Sequence, residues 1–342
     1  MIKVGVVGCG YWGPNLIRNF QHLPEVELVA IADLDARRLA HVGQLYPGVK
    51  QTTDYREIVK DPRIDAVVVA TPVSTHFPLG AEVLTAGKHL FVEKPMAASP
   101  DECRRLIDLA EQRELQIMVG HTFLFTPAVR KIRELMEVGE LGDIYYVDVT
   151  RVNLGIFQPD VNVVWDLAPH DVAMLNHLFG ATPAIVSATG RCYVQRELDN
   201  EDVAFLTLEY PGRQLAHIHV SWLDPNKIRK ATFVGSRKML VYDDVAALEK
   251  IRVYDKGVDV PAHYDNFGEF QLSYRFGDVH IPRLEQTEPL KIEAAHFVDV
   301  LLGRAEPLCN GYHGLQVVET LAKACQSIRH DGRPYELAAV RT

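Results

Sequence analysis

Cysteine is scarce in this chain of 342 residues, and what there is does not cluster. The five cysteines, Cys9, Cys103, Cys192, Cys309 and Cys325, are odd in number and form no C-x-x-C pair. That argues against a thiolate zinc site and a disulfide framework, and it fits a reducing, cytoplasmic setting. Long hydrophobic runs are also missing: none reaches the roughly 18 residues that a membrane helix needs, so no membrane partner is expected. The N-terminus opens directly on a strand pattern, which reads as a chain without a signal peptide. Positive charge is not in excess. The net charge of −9 argues against nucleic acid as a partner. What remains is ordinary: 47% hydrophobic and 24% charged residues describe a globular chain with a full core, and the length suggests two domains.

Residues 1–121 alternate between apolar strands and helical stretches. Strands are expected at Ile2–Val7, Leu28–Ala32, Ala66–Ala70, Leu90–Val92 and Gln116–Val119, with helices at Asn15–His22, Ala36–Leu45, Pro78–Ala86 and Asp101–Arg113. This rhythm implies an α/β Rossmann domain with a doubly wound parallel sheet. From residue 122 to 342 the pattern changes. Helices are expected at Ala128–Val138, Ala168–Phe179, Leu290–Leu302 and Gly314–Ile328, and several strands alternate, as in Ala216-His217-Ile218-His219-Val220. Alternation means one covered and one open face, so the second domain reads as α+β with an open-faced, mainly antiparallel sheet.

The first strand runs into Gly8-Cys9-Gly10-Tyr11-Trp12-Gly13-Pro14. Gly8, Gly10 and Gly13 have the G-x-G-x-x-G spacing: a tight turn, a backbone open to a diphosphate, and a helix packed close to its strand. The helix N-terminus offers free N–H groups to phosphate. Asp33 ends the second strand twenty residues after Gly13, where a carboxylate accepts from the adenosine ribose hydroxyls and repels a 2′-phosphate. NAD is therefore the expected cofactor. Tyr11 and Trp12 can pack on it, and Thr71, Pro72 and His76 end the third strand close to its expected path.

Strand four ends in Glu93-Lys94-Pro95, at the carboxyl edge of the sheet where ligands of such folds lie. Lys94 there can hydrogen-bond a substrate hydroxyl or act as a base; a surface lysine before a turn is the competing reading. Asp166 and His170 are four apart, so on a helix they share one face. Imidazole beside carboxylate is a good acceptor for an alcohol proton; the rival readings are a helix cap and a satisfied buried histidine. No third ligand accompanies them, so no metal site is expected. Arg151 and Asn153 lie two apart on a strand and can reach a substrate. Lys227, Arg229 and Lys230 can counter a diphosphate, or form a solvated face.

These marks together resemble the Gfo/Idh/MocA family of NAD(P)-dependent sugar oxidoreductases: Gly8 to Gly13, Ala70-Thr71-Pro72 with His76, Glu93-Lys94-Pro95 and the Asp166 and His170 pair. The resemblance implies that Lys94, Asp166 and His170 converge on the reacting sugar carbon, and that homodimers or homotetramers form through the open sheet. Asn162-Val163-Val164-Trp165 replaces the usual glycine cluster before the aspartate. Arg151-Val152-Asn153-Leu154-Gly155 and Trp165 to Asp171 are similar to the branch that oxidises UDP-activated amino sugars at C3. A nucleotide sugar, UDP-N-acetylglucosamine first, is therefore the expected substrate. The alternatives are the corresponding uronate, another sugar or inositol, a 3-ketoreductase, and an NAD-sensing regulator.

Overall fold

The computed structural model describes residues 1–158, 161–194, 196–198, 200–259 and 273–338. The chain forms two compact units, divided differently from the expected 1–121 and 122–342. The first comprises Met1–Thr126 together with Thr287–Ala322; the second comprises Pro127–Gln286 and Lys323–Ala339.

In the first unit, β1 (Ile2–Val7), β2 (Val26–Ala32), β3 (Lys50–Thr52), β4 (Ala66–Val69), β5 (His89–Glu93) and β6 (Ile117–Gly120) form a sheet in the order β3-β2-β1-β4-β5-β6. Every pairing is parallel. β4 is Ala-Val-Val-Val and buried throughout, as a central strand covered on both faces requires. The strand order reverses between β1 and β4, which opens a crevice at their carboxyl ends. α1 (Gly13–Gln21) follows β1 and begins two residues before the expected Asn15, because Pro14 fits the first turn. It buries Leu16, Ile17 and Phe20, one stripe of the helix. α2 (Ala36–Leu45), α3 (Arg56–Val59) and α4 (His76–Thr85) follow. α5 (Pro100–Glu111) is capped by Ser99, whose hydroxyl accepts from the Glu102 N–H at 3.3 Å.

The late addition to this unit has a packing reason. In chain order α8 (Pro289–Leu301) comes after all but the last strand of the second sheet, yet it packs on α1. It buries Leu290, Ala294, Phe297 and Val298, an i, i+4, i+7, i+8 stripe. Phe297 meets Phe20 and Phe91 edge-on, with ring centroids 6.2 and 5.5 Å away. Periodicity shows that such a stripe must be covered; it does not show by which sheet.

The second unit contains α6 (Pro127–Glu137), β7 (Ile144–Val152), α7 (Val163–Phe179), β8 (Ile185–Arg191), β9 (Val203–Glu209), β10 (Leu215–Ser221), β11 (Ile228–Gly235), β12 (Met239–Asp243), β13 (Ile251–Asp259), β14 (Ser273–His280) and β15 (Tyr335–Glu336). Between the units in chain order, α9 (Gly311–Arg329) contributes to both. The sheet runs β14-β13-β12-β11-β7-β10-β9-β8-β15 among the described residues. Its junctions are antiparallel except β7 with β10, which is parallel. One face is buried, with Val147, Val149, Ala216, Ile218, Val220, Ala231 and Phe233 on it, and α7 packs against β7, β9 and β10. On the other face Phe205 stacks on His219 at 4.4 Å, and Tyr146, Asp148, Leu215, His217 and Thr232 line a shallow cavity of about 360 Å³. Among the described residues no helix is long and apolar enough to cross a membrane.

Candidate active site

The glycine turn has the shape its spacing predicts. Gly8 has φ +103°, a conformation that L side chains rarely adopt, and a Cβ there would lie 2.4 Å from the Ala70 carbonyl oxygen at the end of β4. A Cβ on Gly13 would lie 2.0 Å from the Gly8 carbonyl oxygen, so only glycine lets α1 start this close to β1. Gly10 differs. A Cβ there would meet only the Arg38 guanidinium, at 3.7 Å, so its backbone faces open space. Asp33 is fixed at both oxygens: Oδ2 accepts the Cys9 N–H at 2.6 Å and Oδ1 the Asp35 N–H at 2.8 Å. Each oxygen keeps lone pairs for hydroxyl donors. Tyr11 is 85% exposed and meets Trp12 edge-on at 5.5 Å, an apolar pair left outside the core. Burial pushes the Cys9 thiol up to about 12, so it is inert. An open glycine backbone, a helix N-terminus and an anchored carboxylate fit a dinucleotide.

Thr71 packs against Gly8 and shares a 2.7 Å hydroxyl hydrogen bond with Thr75. His76 is buried, not presented to a ligand. Its Nδ1 lies 2.8 Å from the Pro95 carbonyl and its Nε2 2.8 Å from the Thr71 carbonyl. It thus ties the turn after β4 to the turn after β5, and burial lowers its pKa. In place of the expected histidine on the cofactor path, the residue is a strut between these two turns. Lys94 is half-buried, and its peptide bond to Pro95 is cis. Glu93 is buried beside it and accepts the Lys94 backbone N–H at 3.2 Å. Burial raises the Glu93 pKa to about 7, against the opposing pull of the Lys94 ammonium.

In the second unit α7 begins at Val163, five residues before the expected Ala168. Asn162 is its N-cap, accepting the Trp165 N–H at 3.1 Å. Pro169 reads as a helix start in sequence, yet it sits inside the helix, where burial of Val163, Val164, Ala168, Val172, Leu175 and Leu178 outweighs the lost hydrogen bond. Asp166 and His170 are therefore both helical, one turn apart. Asp166 is not the cap. Its Oδ2 accepts the Trp222 indole N–H at 3.0 Å. Trp222 is buried at the end of β10, and Gly155 permits its approach: a Cβ there would lie 2.7 Å from the indole.

The pattern of the oxidoreductase family with an NAD-binding Rossmann fold matches residues 2–121, and that of the GFO/IDH/MocA C-terminal domain matches residues 129–241. The chain belongs to the Gfo/Idh/MocA oxidoreductase family. An uncharacterized oxidoreductase of Bacillus subtilis, YrbE, is 28% identical over 98% of this chain and 96% of its own. UDP-N-acetylglucosamine 3-dehydrogenase of Acidithiobacillus ferrooxidans is 29% identical over 60% of this chain and 63% of its own. Its solved structure superposes with a TM-score of 0.80 at 22% identity, covering 96% of this chain and 98% of that one. GenD2 of gentamicin A biosynthesis, solved in complex with NAD, superposes with a TM-score of 0.82 at 25% identity, covering 99% of this chain and 97% of that one. This member is thus an NAD-binding dehydrogenase acting on a CH–OH group.

Within this family member, Arg151 departs from the expected substrate contact. It shares the covered face of β7 with Val147 and Val149 and is 5% exposed. Its Nε and a terminal nitrogen each lie 2.7 Å from an oxygen of Asp171, a buried bidentate pair that ties β7 to α7 beside His170. Asn153 is half-buried just beyond β7, its N–H donating to the Ser221 carbonyl at 3.1 Å. The expected basic cluster is divided by strand alternation. Arg229 shares the face of buried Ala231 and Phe233 and pairs with Asp244 at 3.6 Å, while Lys230 points to the other face. Three residues escaped the sequence reading: Arg38, Trp222 and Asp171. Only Asp171 had a signal, its place next to His170. Among the described residues no group of side chains could hold a metal ion.

Proposed function

We propose that this oxidoreductase removes hydride from C3 of a nucleotide-activated amino sugar, UDP-N-acetylglucosamine, leaving the 3-keto sugar. The observation that carries the reading is α7: an imidazole one turn from a carboxylate, on a helix held by Trp222 and by the Arg151 and Asp171 pair. The branch wording around Asp166 and His170, and the similarity to a 3-dehydrogenase, support the sugar. NAD supplies the hydride acceptor when bound. Gly8, Gly10, Tyr11, Trp12 and Gly13 hold its diphosphate end, Asp33 its adenosine ribose, and Thr71, Pro72 and Glu93 the remainder of its path. His170 takes the proton from the C3 hydroxyl, Lys94 anchors that oxygen, and Asp166 orients the imidazole. Asn153 reaches the sugar. The open sheet face, with Phe205, Tyr146 and Leu215 exposed, supports assembly of two or four copies through it. The test follows NADH formation with NAD and a panel of UDP-sugars, free sugars and inositols. Activity confined to UDP-N-acetylglucosamine is expected. Activity with free polyols alone overturns the substrate.

A further inference from the structure

A dinucleotide brings an anionic diphosphate to the glycine turn, and the side chains that β2 leads into there begin with two acids. Asp33 and Asp35 both follow β2. Asp33 suits ribose hydroxyls, but a carboxylate repels a phosphate. One cation reaches the turn. Arg38 stands in the first turn of α2, and its Nη1 lies 3.7 Å from the place a Cβ on Gly10 would take. No other side chain comes within 4 Å of that place among the described residues. Gly10 is the second glycine of the pattern, where a diphosphate can approach the backbone. The guanidinium therefore already overhangs the position expected for that anion.

Little in the protein itself holds the side chain there. The first turn of α2 contains no acid, and a cation at a helix N-terminus opposes the helix dipole. The ion-pair partner of Arg38 is Asp35, with 3.9 Å between Nε and Oδ2. That carboxylate is already engaged, since its Oδ1 caps α2 by accepting the Arg37 N–H at 2.8 Å. The Arg38 side chain is 58% exposed, and a long, exposed pair of this kind contributes little. Arg37 provides the contrast. It is 94% exposed, pairs with the same aspartate at 3.5 Å, and has no atom within 4 Å of the Gly10 position.

We propose that Arg38 is a diphosphate ligand of the coenzyme, closing the glycine turn from α2. Backbone N–H groups at the start of α1 donate to the anion, and the guanidinium donates to it as well. The planar fork of arginine suits this task, because two parallel N–H groups match two phosphate oxygens. Its charge also offsets that of Asp33, so the acid can serve the ribose without weakening the hold on the diphosphate. This role presumes the glycine turn as the seat of the diphosphate, and it holds whichever sugar is oxidised.

Titrations of the full chain, followed by NADH fluorescence, test it. Arg38→Ala is expected to raise the Kd for NADH about tenfold at about 50 mM salt. The ratio should shrink at about 500 mM salt, where screening has already weakened the parent's ion pair. ADP-ribose, read by displacement of NADH, and NADPH should weaken by the same factor, since both carry the diphosphate. Arg38→Lys keeps the charge without the fork and should fall between parent and alanine variant. Arg37→Ala removes the same charge from α2 and should stay within about twofold of the parent. Unchanged thermal midpoints show that the variants are folded. An Arg38→Ala protein with the parent's Kd overturns the proposal. So does a loss confined to NADPH, which puts the cation at the 2′-phosphate, and so does a loss undiminished by salt, which indicates stacking on the adenine. An equal loss in Arg37→Ala overturns it too, by showing a general field of the helix. If the parent binds no NADH, the reading of the turn itself falls, and this role with it; if the parent binds and Arg38→Ala binds equally well, the turn stands and only the role of Arg38 falls.

Discussion

At the glycine turn almost every group that matters is backbone, and its three glycines lie between the end of one strand and the start of one helix. On α7 the working groups are side chains, and the residues that hold them come from β7, β10 and the loop before α7. Gly8 and Gly13 act by having no Cβ, so their contribution is local and written in their spacing. Asp166 is held by Trp222, 56 residues on, and the helix beside His170 is held by Arg151, 20 residues before its partner Asp171. Two kinds of fragility follow. The turn is damaged by adding atoms; α7 is damaged by removing a partner.

The sharpest way to break the comparison is at the chemistry. With His170 as the proposed base and Lys94 as the proposed anchor, His170→Ala is expected to lower turnover about 10²–10⁴-fold and Lys94→Ala to fall in the same range. Steady-state rates with saturating NAD and sugar check both. Next in size is the buried pair. Arg151→Met leaves Asp171 buried without its cation and should cost about 3–5 kcal/mol of stability, read by chemical denaturation.

Acidity comes third. The Glu93 pKa is raised from 4.5 to about 7 by burial, so between these values the folded chain binds more protons than the unfolded one. Its contribution is fully present below the lower value and is lost as pH rises through the higher, a fall of about 3 kcal/mol. Denaturation at pH 5 and pH 8 should show that fall in the parent on top of the one that buried Glu293 contributes in the same direction, and Glu93→Gln should reduce the total without abolishing it. The smallest effect is at Trp222. Trp222→Phe keeps the ring packing but deletes the bond to Asp166, at a cost of about 1 kcal/mol, and should lower turnover more than it raises KM.

The same contrast explains what could be read from the sequence. The Rossmann order, the glycine turn and the Asp33 carboxylate were legible because periodicity and turn chemistry are local. The open, mainly antiparallel sheet followed from alternation in β9 and β10. The assignment of α8 to the first unit did not, since an apolar stripe does not name the sheet it covers. Pro169 misplaced the start of α7, because tertiary burial outweighed a local rule. Arg151 looked like a substrate ligand, because spacing gives the face of a strand and says nothing of what packs on it. His76 was noticed as part of a motif, but its two carbonyl partners come from turns that only folding brings together.

The most direct test of the account is an NADH fluorescence titration of His170→Ala beside its turnover. If the glycine turn binds the coenzyme and α7 serves the sugar, the variant binds NADH with the parent's Kd while turnover falls at least about 10²-fold. A variant that loses NADH affinity as steeply as it loses rate, or one that keeps the parent's rate, contradicts it.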